Sequence, residues 1–358
     1  MSVHQTPQKP RVVFLIEDSL PNGRVSPELT PTLWSLIQQG GWHPDGGISV
    51  LASSTYPNHA TFATGVDVAE HRIFTNDVWN GSQYVCSSTV GPAVPTIFDR
   101  ARAGGVSTAA ITGDKTMVGC MGARAADISW PPAGPLDDTM ARDCLGYPAN
   151  SAVIDNLASS GALDVDLLYL HMNDPDSTLH LHGPDAPETV DRIREIDDDL
   201  ATIVELLKPR WEETVLFVVS DHEQETVDQT QAPIDLAAEL AEAGIQGDAH
   251  NEGTIGIVHN SAGAETIRRL EMITDAIDLD AGVTLAWSDP GRVFGRSNKT
   301  LAGQHGSPRT RTQVATVSGG HAVVPQLAND LARGFRSLGE RPHATDYANV
   351  IADLLDLA

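Results

Sequence analysis

Apolar residues in this chain fall into short unbroken runs separated by longer stretches with helical spacing. Residues 12–16 (VVFLI), 107–111, 166–170, 214–219 and 314–317 are four to six residues long and rich in Val, Ile, Leu and Ala. Runs of that length without polar alternation predict strands buried on both faces. Residues 31–39, 190–207 and 344–357 place apolar positions three and four apart, which predicts amphipathic helices. Strands alternating with helices predict an α/β fold with a mainly parallel central sheet and helices on both faces. The stretch 227–301 has its own rhythm, with apolar runs at 253–259 and 283–287 and helices expected at 233–243 and 264–277. It reads as an inserted lid or substrate lobe, leaving 1–226 and 302–358 as the catalytic core. Residues 78–148 are rich in Gly, Pro and Ser and are expected to form long loops near one sheet edge.

Charge narrows the partners. Lys and Arg total 23 against 48 Asp and Glu, a formal charge of −25. So acidic a surface repels nucleic-acid polymers and anionic membranes, and neither is an expected partner. An anionic small substrate would need bound cations to reverse the sign locally. Three cysteines, Cys86, Cys120 and Cys144, show no CxxC spacing and read as reduced thiols. Together with an N-terminus lacking a signal-peptide pattern, they make a cytoplasmic location the expectation.

Three apolar runs end in acid: FLIED at Asp18, LLYLHMNDPD at Asp176, and VLFVVSDH at Asp221 with His222 beside it. Ligands of parallel sheets bind beyond the carboxyl ends of strands. A single strand-end Asp is more often a turn former or helix cap. The balance changes because histidines accompany these acids. Asp176 and His180 are four apart, on one side of a helix, and Asp221 and His222 are adjacent. Carboxylate oxygen and imidazole nitrogen suit Zn²⁺, and also Mn²⁺. His305, between a Gln and a Gly in a loop after the inserted stretch, is a further candidate ligand. In SSTYPNHATFATG, Pro57 fits a first helical turn and Thr55 lies at its start, where free N–H groups attract anions. A hydroxyl there, ionised by a metal, can attack phosphorus; the plainer reading is a helix cap. Asn76 could offer its amide donors to a phosphoryl oxygen.

In this order the motifs resemble the alkaline phosphatase superfamily, most closely its nucleotide pyrophosphatase/phosphodiesterase branch. They are Asp18, Thr55 to His59 (TYPNH), Asn76, the PDxxxHxxGP pattern from Pro175, Ser220 to His222 (SDH), and His305-Gly306. The sulfatase signature is absent. The resemblance implies a hydrolase that cleaves phosphodiester or pyrophosphate bonds of a small molecule through a phosphothreonine intermediate on Thr55. It implies two divalent metal ions, with Zn²⁺ the first expectation and Mn²⁺ the second. Asp176, His180 and His305 would hold one; Asp18, Asp221 and His222, with Thr55 touching it, the other. Asn76 would bind phosphate. Three positions depart from the usual pattern: Ser19 follows Asp18 where Gly is common, Leu179 replaces Gly before His180, and Glu223 follows His222. Leu179 and Glu223 are expected to reshape the substrate pocket, and His182 competes with His180 as a ligand. Phosphonoacetate hydrolase shares the same core and holds its substrate with lysines; Lys115 is the matching substrate-binding candidate and makes a phosphonate substrate the alternative. A non-catalytic metal-binding protein is the remaining reading, disfavoured because all seven metal and nucleophile positions are filled.

Overall fold

The computed structural model describes residues 9–336 and 340–358. Its centre is a five-stranded parallel sheet built from β1 (Arg11–Glu17), β2 (Thr108–Thr112), β3 (Ile128–Trp130), β4 (Leu167–Met172) and β5 (Thr214–Val219), in the order β3-β2-β4-β1-β5. Every residue of β1 is buried. Val12, Phe14 and Ile16 pack one face against Phe62, Ala63 and Tyr347, while Val13 and Leu15 pack the other against Leu36, Val153, Ile196 and Leu200. The period-2 alternation of side chains sends every second residue to each layer, so a sheet covered on both sides needs an unbroken apolar run.

Strands that run parallel end on the same edge, and the register brings three ends level. Glu17 pairs with Met172 and Ile16 with Val219. The residues just beyond, Asp18, the 173–176 segment and the 220–222 segment, therefore emerge side by side.

Two expectations about elements are corrected. Residues 314–317 do not join the sheet as a parallel strand. Thr316–Val317 pairs antiparallel with Gly41–Trp42, and single antiparallel bridges link Ala315 to Val219 and Ser318 to Leu216. The run is apolar because Ala315 and Val317 fill the core beside β5. The helix expected at 264–277 stops at Ile267. Residues Asp275–Asp280 instead form β8, because β9 (Val283–Trp287) offers a hydrogen-bonding edge that local helix spacing cannot foresee.

With β6 (Asp248–Glu252) and β7 (Ile255–His259), these strands make a four-stranded antiparallel sheet in the order β6-β7-β9-β8. One face packs on Leu236, Leu240 and Ile267 from its own helices. The other packs Ile255, Ile257 and Leu285 onto Val50, Ala52, Val68 and Phe74. The second sheet thus rests on the segment that flanks Thr55. Residues 78–148 hold loops, but also β2, β3 and the helix Ile97–Gly104, whose N-cap Thr96 and Asp99 form a reciprocal capping box. Among the described residues, no helix is long and apolar enough to cross a membrane.

Candidate active site

At the shared carboxyl edge lies a cavity of about 250 Å³ lined by Asp18, Thr55, Tyr56, Asn76, Asp176, His180, Glu252 and His305, among others. Asp176 opens the helix Asp176–His182, and His180 is one turn on. Their Oδ2 and Nε2 atoms are 3.4 Å apart. His305 joins them, so that ligand atoms of all three lie within 4.8 Å of one another. Nδ1 of His180 donates to Gly303 O at 2.9 Å, which leaves its Nε2 with a free lone pair. Gly303 makes the approach possible, since a Cβ there would fall 2.4 Å from Leu179 O. The backbone of His305 is held from the second sheet, where Thr254 donates to its carbonyl through N (2.9 Å) and Oγ1 (3.0 Å).

A second group sits deeper. His222 Nε2 faces Thr55 Oγ1 at 3.1 Å, Asp221 Oδ2 at 3.3 Å and Asp18 Oδ1 at 3.8 Å. Asp18, Asp176 and His222 also approach one another closely enough to share an ion, so Asp176 stands between the two groups. Asp18 Oδ1, Asp221 Oδ2 and His305 Nδ1 are buried without a hydrogen-bond partner among the described residues. Burial pushes the Asp18 carboxyl well above its usual range, and the carboxylates of Asp221 and Asp176 push it further. Burial would raise Asp176 too, but His180, His305, His222 and the Ser19 hydroxyl outweigh it and hold it low. Burial lowers His305, and His222 and His180 add to the effect. Among the described residues, no Lys or Arg lines the cavity. Three buried carboxylates facing bare imidazole nitrogens, with orphaned oxygens and no protein cation, are a donor set that a divalent cation would satisfy.

Thr55 is the first residue of the helix Thr55–Thr64 and is 9% exposed. Its hydroxyl therefore lies at a helix N-terminus, where the backbone dipole favours an anion. His59, one turn on, donates from Nδ1 to Thr55 O at 2.8 Å. Asn76 Oδ1 accepts from Tyr56 N at 3.0 Å, which orients the amide beside that turn and leaves Nδ2 without a partner among the described residues.

Other sequence expectations fare differently. Lys115 is exposed and lines a neighbouring cavity of about 430 Å³ with Arg124, Ser88 and Thr116; it does not line the cavity of Asp18 and Thr55. Glu223 accepts from Asn22 N at 3.0 Å and Leu179 is fully buried, and neither is among the residues that line the cavity. His182 is exposed and outside both groups.

Three supporting residues have no obvious mark in the sequence. His171 Nδ1 accepts from Gly113 N at 3.2 Å, so its Nε2 carries the proton and donates to Asp18 Oδ2 at 3.0 Å. A lone His inside the apolar run LLYLHM is the signal that could have found it. Gln224 donates to Asp176 Oδ1 at 2.6 Å. Glu252 reaches in from β6 to accept from Asn76 N at 2.9 Å, and burial lifts its carboxyl to about 7. Ser19 has φ 61, where an L-residue costs about 1–2 kcal/mol relative to glycine.

Comparison with known proteins gives the family and the fold. Residues 12–306 match the model of the type I phosphodiesterase / nucleotide pyrophosphatase family. Human ectonucleotide pyrophosphatase/phosphodiesterase family member 5 is 26% identical over 52% of this chain and 39% of its own length. Human bis(5'-adenosyl)-triphosphatase ENPP4 is 25% identical over 49% of this chain and, again, 39% of its own. The chain thus aligns with well under half the length of these curated relatives. Among solved structures, an inactive variant of murine ectonucleotide pyrophosphatase/phosphodiesterase 5 in complex with AMP superimposes with a TM-score of 0.72. It covers 98% of this chain and 96% of its own at 16% identity, a likeness of fold. Human ectonucleotide pyrophosphatase/phosphodiesterase 5 gives 0.70 at 18% identity, covering 97% and 95%. With the family model spanning most of the chain, the protein belongs to the type I phosphodiesterase / nucleotide pyrophosphatase family, within the alkaline phosphatase superfamily.

Proposed function

We propose that the protein hydrolyses a phosphodiester or pyrophosphate bond in a small, nucleotide-like substrate, with Thr55 as the nucleophile. The observation that carries the reading is the place of Thr55 Oγ1. It lies at a helix N-terminus, on the wall of the cavity, 3.1 Å from His222 Nε2. Two divalent cations, Zn²⁺ or Mn²⁺, fit the donors: Asp176, His180 and His305 for one, Asp18, Asp221 and His222 for the other. When bound, they would supply the positive charge that lowers the pKa of a hydroxyl and neutralises phosphoryl oxygens.

The residues of the chain do the rest. Thr55 Oγ attacks phosphorus, its P–O bond forming as the bond to the leaving oxygen breaks. The hydroxyl proton of Thr55 ends on the departing oxygen, so the products are a phosphothreonine and a released alcohol or phosphate. Water then cleaves that ester, and Thr55 regains its proton. Asn76 Nδ2 would hold a non-bridging oxygen through both steps. The stretch 227–301, which supplies Glu252 and Gly253 to the cavity, is the lobe we assign to substrate selection.

Charge supports a diester or pyrophosphate over a monoester. A diester carries one negative charge, whereas a monoester near neutral pH carries close to two. Among the described residues, the cavity offers no Lys or Arg to meet the second. A phosphonate with its own carboxylate would need Lys115 facing the reacting group, and Lys115 faces a different cavity. The family name and the AMP complex of the murine relative support a nucleotide-type substrate. The test is turnover of a chromogenic phosphodiester by the purified protein. Thr55→Ala should abolish turnover and leave metal content unchanged, while Thr55→Ser should keep activity. Substantial turnover by Thr55→Ala would exclude the covalent route.

A further inference from the structure

Ser19 follows a candidate ligand, is fully buried, and holds a left-handed backbone that glycine would adopt without strain. Its hydrogen bonds explain what holds it there. The backbone N–H donates to Asp221 Oδ1 at 3.1 Å. The hydroxyl donates to Asp176 Oδ1 at 2.8 Å. The same oxygen lies 2.9 Å from His222 Nδ1, which also faces the carbonyl of Glu223 at 3.2 Å. A carbonyl only accepts, so Nδ1 carries the proton and Ser19 Oγ accepts from it. The hydroxyl thus has one proton and one lone pair in use, each on a different ligand group.

We propose that Ser19 is a positioning residue that couples the two metal-binding groups. Its hydroxyl aims the Asp176 carboxylate and fixes His222 in the tautomer whose bare Nε2 faces Thr55, Asp18 and Asp221. Partners of this kind set the orientation and basicity of ligands, and their loss typically lowers metal affinity about 10- to 100-fold. Glycine at this position keeps the backbone N–H to Asp221 and relaxes the turn, but removes the link between the groups.

This inference rests on the two-metal reading above, and its test separates the two. Metal-free wild type, Ser19→Gly and Ser19→Ala are titrated with Zn²⁺ against a chromogenic chelator, and thermal midpoints are recorded without metal. Ser19→Gly should bind Zn²⁺ about 10- to 100-fold more weakly, while its metal-free midpoint equals or exceeds that of wild type. Ser19→Ala should lose similar affinity with no gain in midpoint. Wild-type affinity in Ser19→Gly would overturn the positioning role and leave the metal reading standing. A fall in the metal-free midpoint of Ser19→Gly would make the hydroxyl a structural strut and overturn the role as well. Absence of Zn²⁺ binding by wild type would overturn both.

Discussion

Glu252 offers a sharp test of the electrostatics at the seam between the two sheets. Its carboxyl is buried, with Oε2 accepting from Asn76 N at 2.9 Å and Oε1 without a hydrogen-bond partner among the described residues. Burial raises it from the ordinary 4.5 to about 7. The unfolded chain releases this proton near pH 4.5, while the folded chain keeps it until about 7. Stability therefore falls as pH rises through that window, and the full cost is present above it. At about 1.36 kcal/mol per pH unit, that cost is about 3 kcal/mol. Glu252→Gln removes the ionisation but keeps an oxygen that can accept from Asn76 N. With an unfolding entropy of about 2.1 cal/mol/K per residue, the whole chain changes its midpoint by roughly 1.3 °C per kcal/mol. The metal-free Glu252→Gln variant should thus melt up to roughly 4 °C above wild type at pH 8. The difference should shrink to less than about 1 °C by pH 4.5 and vanish below it. Thermal unfolding of both proteins by circular dichroism across this range measures it; metal must be absent because bound ions add their own pH-dependent stabilisation. An equal offset at both ends of the range, or a lower midpoint for the variant at pH 8, would refute the assignment of Glu252 as a strained buried acid.

Two further outcomes follow from the site. Chelation should stop diester turnover, and Zn²⁺ or Mn²⁺ should restore it; full activity in protein shown by elemental analysis to lack transition metal would remove the cation-dependent reading. Lys115→Ala should leave kcat/KM for a chromogenic diester within about twofold, because Lys115 is outside the cavity; a loss of tenfold or more, about 1.4 kcal/mol in the barrier, would bring the phosphonate reading back.

Much of this protein is legible in its amino-acid order, for a physical reason. A parallel strand buried on both faces is apolar along most of its length, and where the run stops the chain leaves the core at the sheet edge. An acid in that position, as at Asp18 and Asp221, is thereby placed at the edge where ligands bind. The Asp176–His180 spacing is equally local, since one helical turn sets it. The family itself follows from the order of such short motifs, and its fold with it.

What the sequence by itself could not determine lies in contacts between distant segments. Residues 264–277 have helical spacing, yet 275–280 became a strand because β9 offered a partner. Lys115 follows the end of β2 by three residues, but the path of that loop turned it into the neighbouring cavity. Glu223, next to a candidate ligand, accepts from Asn22 N and does not line the cavity. His171, Gln224 and Glu252 support the site from positions whose neighbours in sequence say little about it, and the Ser19 hydroxyl does so across gaps of 157 and 203 residues. Local pattern decides which residues are buried and where strands end; which side chains then meet is decided only when the sheet register and the packing of the second sheet bring them within hydrogen-bond reach.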